Sequence, residues 1–168
     1  NSGGAHCLKY GVTTNNILGV KIVLMTGEVL EIGGKHLDSG SYDILGLICG
    51  SEGQFGIVTE ATVRIIKAAE GARRMLMGFA SSEIAGRAVA AVIAGGIIPV
   101  AIEFMDKPAI QICEDFAKAG YPRDVEALLI IEVEGSPQEI DEALARIQEI
   151  TKPFEPRSIL ISASPEQS

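Results

Sequence analysis

The sequence predicts an α+β fold in two parts, and three observations carry that prediction. Up to about residue 67, short β-branched runs are punctuated by glycine-rich turns. From Met75 onward, strand-like and helix-like runs alternate in the order β-α-β-α-β-α-β. Between them the stretch Lys67 to Arg74 (Lys-Ala-Ala-Glu-Gly-Ala-Arg-Arg) breaks the hydrophobic pattern. A domain boundary is expected there, giving residues 1–69 and 70–168.

In the first part, Val20 to Leu24 reads as a strand. Met25-Thr26-Gly27-Glu28 gives a turn, with Gly27 free to take positive φ, and Val29 to Ile32 gives the return strand. Asp43 stands before a short apolar run ending at Cys49, which predicts a capped helical turn or two. Gly50-Ser51-Glu52-Gly53-Gln54-Phe55-Gly56 follows. Ile57 to Ile66 then alternates as a strand, with Ile57, Thr59, Ala61, Val63 and Ile65 on one face.

In the second part, Met75 to Phe79 predicts a strand, and Ser81-Ser82-Glu83 caps an Ala-rich helix to Ala94 that Gly95-Gly96 stops. Val100 to Met105 is a strand. Asp106 caps a helix that carries Pro108 in its first turn and runs to about Ala119 before Gly120. Ala127 to Val133 is a buried strand. Ser136 and Glu139 are spaced as a capping box, and Ile140, Leu144, Ile147 and Ile150 form one apolar stripe. Ser158 to Ser162 is a last strand. With the middle helix as an insertion, this is the ferredoxin-like β-α-β-β-α-β plan. Helices on one sheet face leave the other to be covered by something else.

Composition excludes several classes of function. The 168 residues are 47% hydrophobic, enough for a core, which rules out disorder. No apolar run is long enough to span a bilayer. The net charge of −8 opposes electrostatic binding of nucleic acid. Cys7, Cys49 and Cys113 are far apart and belong to no Cys/His cluster, so neither a zinc site nor a disulfide framework is expected. They read as small buried apolar residues in a protein of a reducing compartment. The absence of an initiator Met before Asn1, and the polar tail to Ser168, suggest a piece of something longer.

Two glycine-rich segments are the candidate binding elements. Gly50, Gly53 and Gly56 recur every third residue before a strand, the reverse of the order in a dinucleotide fingerprint or P-loop. Such a turn offers little side-chain bulk, so its amides can face a flat or anionic ligand. A plain turn into a strand explains it as well. Asn1-Ser2-Gly3-Gly4 is similar in kind, and a loose chain end explains it equally. His6 has no acid at a telling spacing. Glu103, Asp106, Glu114 and Asp115 read as structural rather than metal-binding, and Glu139, Asp141, Glu142 and Glu149 as a solvated helix face. No catalytic residue and no metal ligand is assigned.

Asn1-Ser2-Gly3-Gly4-Ala5-His6-Cys7-Leu8-Lys9-Tyr10-Gly11, taken with Gly50-Ser51-Glu52-Gly53-Gln54-Phe55-Gly56-Ile57-Val58-Thr59-Glu60, resembles the vanillyl-alcohol-oxidase type of FAD-linked oxidases. Within that type it is most similar to the branch of FAD-binding glycolate oxidase subunits and D-lactate dehydrogenases. The likeness continues through Ile97-Ile98-Pro99, Glu103-Phe104-Met105-Asp106 and Glu114-Asp115-Phe116 to Ala119-Gly120-Tyr121-Pro122. Ser2 stands where alanine is common, and Gln54-Phe55 where Thr-Leu or Met-Leu is frequent.

The resemblance implies that residues 1–69 end an FAD-binding domain and that residues 70–168 begin a substrate, or cap, domain. It implies FAD contacts at Asn1, Ser2, Gly3 and Gly4, and at Gly50, Ser51, Glu52, Gly53, Gly56, Ile57 and Val58. Main-chain groups would make them, which lets an acidic chain hold an anionic cofactor. The family's pyrophosphate loop would lie upstream and its histidine motifs downstream, and neither His6 nor His36 matches those motifs. The implied reaction is oxidation of a small 2-hydroxy acid, glycolate or D-lactate, with hydride passing from the α-carbon to flavin N5. The implied partners are other oxidase subunits, including an iron–sulfur protein. The implied location is cytoplasmic, peripheral to the membrane through those subunits. The isolated chain is expected to be inactive. The competing reading is a non-enzymatic ferredoxin-like module for small-molecule sensing or subunit interaction.

Overall fold

A computed structural model of the protein describes residues 4–35 and 42–162. Asn1, Ser2, Gly3 and His36 therefore lie outside the described residues. The chain divides into two compact units, Asn1–Lys67 and Ala68–Ser168.

The first unit is built on a three-stranded antiparallel sheet in the order β2-β1-β3, formed by β1 (Ile17–Val23), β2 (Val29–Gly33) and β3 (Ile57–Val63). The β1–β2 hairpin closes through Leu24 N to Glu28 O at 2.8 Å, with Gly27 at φ 85° as the turn demands. Helix α3 (Ile44–Ile48) starts where Asp43 accepts from Gly46 N at 2.8 Å. It lays Leu45 and Ile48 against Val20 and Ile22, the small core of this unit. Two four-residue helices precede the sheet, α1 (Cys7–Tyr10) and α2 (Thr13–Asn16). They carry no apolar period, so the sequence pattern did not reveal them. Side-chain bonds hold them instead: Asn15 Oδ1 accepts from Val12 N, and Asn16 Nδ2 donates to Tyr10 O and Val12 O, each at 3.0 Å.

Strand β3 departs from the expected alternation. It ends at Val63, and the pairing skips Thr59, so that Glu60 faces Lys21 while Val58 faces Ile22. The bulge changes the phase of the strand. Val58 and Ala61 now stand opposite the core residues Ile22 and Val20, rather than Ile57 and Thr59 sharing one face with Ala61. All seven residues of β3 are exposed. On the opposite sheet face Lys21 bridges Glu60 at 2.8 Å and Glu31 at 3.4 Å.

The second unit is a four-stranded antiparallel sheet in the order β5-β6-β4-β7, from β4 (Gly71–Phe79), β5 (Ala101–Asp106), β6 (Ala127–Gly135) and β7 (Ser158–Ile161). This is the ferredoxin-like plan. Helices α4 (Ser82–Ala94) and α6 (Pro137–Thr151) cover one face. Their Ala85, Ala88, Val92, Ile140, Leu144 and Ile147 pack on Met75, Met77, Phe79, Leu129, Ile131 and Val133. Burial of these side chains, worth about 1.5–3 kcal/mol for each large one, is the main stabilising contribution of the unit. Ser81 caps α4 by accepting from Ile84 N at 3.2 Å. At α6 the capping box is closed, with Glu139 Oε2 accepting from Ser136 N at 2.8 Å.

The inserted helix α5 (Lys107–Ala117) supplies part of the cover that the second sheet face was expected to need. Its Ile110 packs with Val125, Leu128 and Met105. Leu128 alternates with Leu129, so this small core lies on the sheet face opposite α4 and α6. The helix also stops earlier than expected. Lys118 turns left-handed at φ 50°, and the Glu114 carboxylate accepts from Gly120 N at 2.9 Å and Tyr121 N at 3.0 Å. That local side-chain bond makes the exit at Ala117 favourable before Gly120 is reached. A 3₁₀ turn, Lys152–Phe154, links α6 to β7.

Candidate functional site

Of the residues singled out from the sequence, Gly4 opens the described chain. It is exposed, donates from its amide to Cys7 Sγ at 2.7 Å and accepts from Cys7 N at 3.0 Å. A concavity of about 280 Å³ lies beside it, lined by Gly4, His6, Cys7, Tyr10, Thr13 and Asn16 among others.

The second segment, from Gly50 to Gly56, runs as an irregular turn between α3 and β3. Gly50, Glu52 and Gly53 have φ of 85°, 52° and 82°. Ser51 N bonds to Ile48 O and Gln54 N to Ser51 O, both at 3.0 Å. No hydrogen bond is found for the amides of Glu52, Gly53, Phe55 and Gly56 among the described residues. Gly50 has no atom within 4 Å of where a Cβ would stand, and Gly53 has only Gly56 O, at 3.9 Å. Both present bare main chain to open space. Gly56 is different. It is buried, and a Cβ there would meet the Val23 carbonyl oxygen at 2.4 Å. Its glycine is required by close approach to β1, so this third of the repeat is structural. Ile57 and Val58 follow in β3, both exposed.

The two segments are joined by α2, a link the sequence did not disclose. Thr13 and Asn16 line the concavity next to Gly4. Thr14, in the same turn, donates to Cys49 Sγ at 3.2 Å, directly before Gly50. The loop therefore starts beside α2 and ends on the carbonyl of Val23. Its open amides and uncrowded glycines fit a flat, anionic group held by main-chain contact. The sequence signal for the link would have been Thr and Asn clustered in Val12 to Asn16, but polar residues there read equally as a loop.

The acids resolve into structural roles. Asp106 caps α5 by accepting from Ala109 N at 2.9 Å, Glu114 caps its exit, and Asp115 pairs with Arg123 at 2.6 Å. Asp141 pairs with Arg73 at 2.7 Å, and Glu139 closes the box of α6, so only part of that helix face is merely solvated. The cysteines are free and half-buried rather than fully buried. Among the described residues no three His, Cys, Asp or Glu side chains gather as a metal site, and no helix is long and apolar enough to cross a membrane.

Comparison with known proteins defines the class. Residues 69–168 match the family of FAD linked oxidases, C-terminal domain, and the chain belongs to it. It is 45% identical over 150 residues to the glycolate oxidase subunit GlcD of Escherichia coli (strain K12), covering 89% of this chain and 30% of that protein. It is 36% identical over 169 residues to GlcD of Bacillus subtilis (strain 168), covering 100% of this chain and 36% of the relative. The D-lactate dehydrogenase of Archaeoglobus fulgidus is 36% identical over 115 residues, with 68% and 26% covered. The chain thus spans about a third of the length of these curated relatives. Among solved structures, an alkyldihydroxyacetonephosphate synthase superposes with a TM-score of 0.74 at 22% identity, over 95% of this chain and 31% of that one. The BBE-like 1 protein of Physcomitrella patens gives 0.61 at 18%, over 96% and 32%. These two share the α+β fold, in keeping with the vanillyl-alcohol-oxidase-type architecture read from the motifs.

Proposed function

We propose that this chain is part of an FAD-dependent oxidoreductase acting on a small 2-hydroxy acid, glycolate or D-lactate. One observation carries the reading. An alignment to a glycolate oxidase subunit over 89% of the chain necessarily takes in both units and the Gly50–Gly56 loop. The first unit is then the end of the FAD-binding domain, and the second the beginning of the substrate domain.

When bound, FAD supplies the hydride acceptor for the substrate α-carbon at its N5. What this chain contributes is position. Gly50, Ser51, Glu52 and Gly53 offer main chain on a turn free of side-chain bulk. Gly56 pins that turn to β1, and Ile57 and Val58 carry it into the sheet. By the resemblance Asn1, Ser2, Gly3 and Gly4 contribute further FAD contacts, and α2 lies beside both Gly4 and the residue before Gly50. No residue of this chain is assigned the proton transfer from the substrate hydroxyl. Electrons leave through other subunits, an iron–sulfur protein among them, and those subunits hold the enzyme at the cytoplasmic face of the membrane.

The test is flavin binding and turnover. The 168-residue chain is titrated with FAD, followed by flavin fluorescence, beside the full-length polypeptide that carries it. The full-length protein is expected to hold FAD and reduce a dye with glycolate or D-lactate, and the chain alone to do neither efficiently. A full-length protein that holds no flavin, or that ignores every 2-hydroxy acid, would sink the reading in favour of a ferredoxin-like sensing module.

A further inference from the structure

We infer that Asn16 is a positioning residue for the flavin, because its side-chain amide clasps the exit of α1, the start of α2 and the end of β3 to one another. The inference rests on the reading that Gly4, Ile57 and Val58 contact FAD. Asn16 is the last residue of α2, half-buried, and stands directly before β1. Its Nδ2 donates to Tyr10 O and to Val12 O, both at 3.0 Å. Its Oδ1 accepts from Arg64 Nη2 at 3.0 Å, across 48 positions of sequence. Its main-chain oxygen accepts from Arg64 N at 2.8 Å, which carries the β1–β3 ladder just past the Ile17–Val63 pair. Tyr10 O is among the carbonyls that the end of α1 leaves without a helical partner.

The demands on this one side chain select its type. It must offer two N–H hydrogens to two carbonyls and one oxygen to a guanidinium. A primary amide has that inventory, whereas an ionised Asp only accepts and a Ser hydroxyl has a single hydrogen. The same demands fix the orientation of the amide, since a flipped group would turn its oxygen on Tyr10 O and Val12 O. Neighbouring Asn15 is committed elsewhere, accepting from Val12 N at 3.0 Å. What the clasp joins gives it a role beyond stability. On one side α1 follows Gly4 closely, and Gly4 O accepts from Cys7 N at 3.0 Å. On the other side Arg64 follows β3, which begins with Ile57 and Val58. Gly4, Tyr10, Asn16 and Val63 line the same concavity of about 280 Å³. The clasp therefore sets the Gly4 segment against the strand that carries Ile57 and Val58. The Thr14–Cys49 bond ties α2 to the glycine loop but holds neither α1 nor β3.

The test compares the full-length flavoprotein with its Asn16→Ala, Asn16→Asp and Arg64→Met variants. FAD affinity, the visible spectrum of the bound flavin at saturating FAD, and the urea midpoint are measured on each. Asn16→Asp keeps an acceptor for Arg64 and loses both donors, while Arg64→Met keeps both donors. Asn16→Ala and Asn16→Asp are expected to weaken FAD binding on the order of tenfold, and Arg64→Met about threefold. In all three the flavin that still binds is expected to show a displaced absorption maximum. A lowered urea midpoint with the wild-type spectrum at saturating FAD would assign Asn16 to folding alone and overturn the inference. Wild-type affinity in Asn16→Ala overturns it as well, and in a flavin-loaded protein that result leaves the proposed activity intact. If the Asn16 variants do not fold, Arg64→Met decides: weakened binding with a displaced spectrum supports the clasp, and wild-type values overturn it. A wild-type full-length protein that holds no flavin instead removes the proposed activity, and the role of Asn16 with it.

Discussion

The Thr14 hydroxyl donates to the Cys49 sulfur at 3.2 Å, across 35 positions of sequence. This bond ties the short helix beside Gly4 to the residue before Gly50. It sets the start of the Gly50–Gly56 turn beside the same short helix whose Thr13 and Asn16 line the concavity next to Gly4. Neither α1 nor α2 buries a residue fully, so side-chain bonds of this kind, rather than a core, hold them in place.

Thr14→Val keeps the side-chain shape and removes the donor. A hydrogen bond of this kind contributes about 0.5–1.5 kcal/mol net. The variant should lower the unfolding free energy of the first unit by an amount in that range, read as a lower urea midpoint at unchanged slope. In the full-length protein it should weaken FAD binding without changing the absorbance spectrum of the flavin that remains. An unchanged midpoint together with unchanged affinity would show that the bond does not order the loop.

The three glycines of the repeat should respond differently to alanine. At Gly56 the new Cβ meets the Val23 carbonyl oxygen at 2.4 Å, and φ is 154°. Backbone must shift, so Gly56→Ala is expected to destabilise the unit by on the order of 2–4 kcal/mol. At Gly53 there is room, and only the left-handed φ of 82° opposes the change. Gly53→Ala should cost about 1–2 kcal/mol. Its larger effect is expected on FAD affinity, since the methyl group stands on the open side of the turn. Equal stability losses at both positions would contradict this division.

Much of the fold was legible because local signals and packing agree. Ser81, Asp106 and Ser136 each cap a helix where their sequence context said they would. Met75, Leu129 and Ile147 are buried by the periodicities that predicted them. The misses have local causes. Skipping Thr59 shifts the phase of β3, and no residue type announces a bulge in advance. The end of α5 is set by Glu114 reaching forward six residues, a choice of rotamer rather than of sequence. The candidate site was legible as small residues at Gly50 and Gly53. The link through Thr14 was not, because it is a contact between segments distant in sequence. Nor did the spacing separate Gly56, which β1 requires, from its two exposed neighbours in the repeat.

Glu114 is expected to matter for stability alone. Its carboxylate accepts from Gly120 N and Tyr121 N, two amides released when α5 ends at Ala117. Hydrogen bonds to a charged acceptor contribute about 1.5–3 kcal/mol, and the exposed setting places this pair at the lower end. Glu114→Ala should therefore lower the unfolding free energy of the second unit by about 1–2 kcal/mol. Glu114→Gln should recover part of that loss, because its amide oxygen still accepts. If both variants unfold like wild type, the carboxylate is not the cap.

Lys21 gives a prediction in pH. Hydrogen bonding and charge from Glu60, and then from Glu31, raise its pKa above the ordinary 10.5, while partial desolvation opposes them. A lysine whose folded value is raised stabilises the fold at every pH below the unfolded value of 10.5, and that contribution disappears as pH climbs through the folded value. Lys21→Met keeps the stem that lies along the sheet and removes the charge. Wild type should therefore unfold at higher urea than the variant at pH 7, with the gap shrinking steadily above about pH 10.5. Added salt should narrow the gap at pH 7 as well, because both carboxylates are solvent-exposed. A gap that stays constant from pH 7 to 11.5 would assign the stabilisation to packing of the lysine stem rather than to its charge.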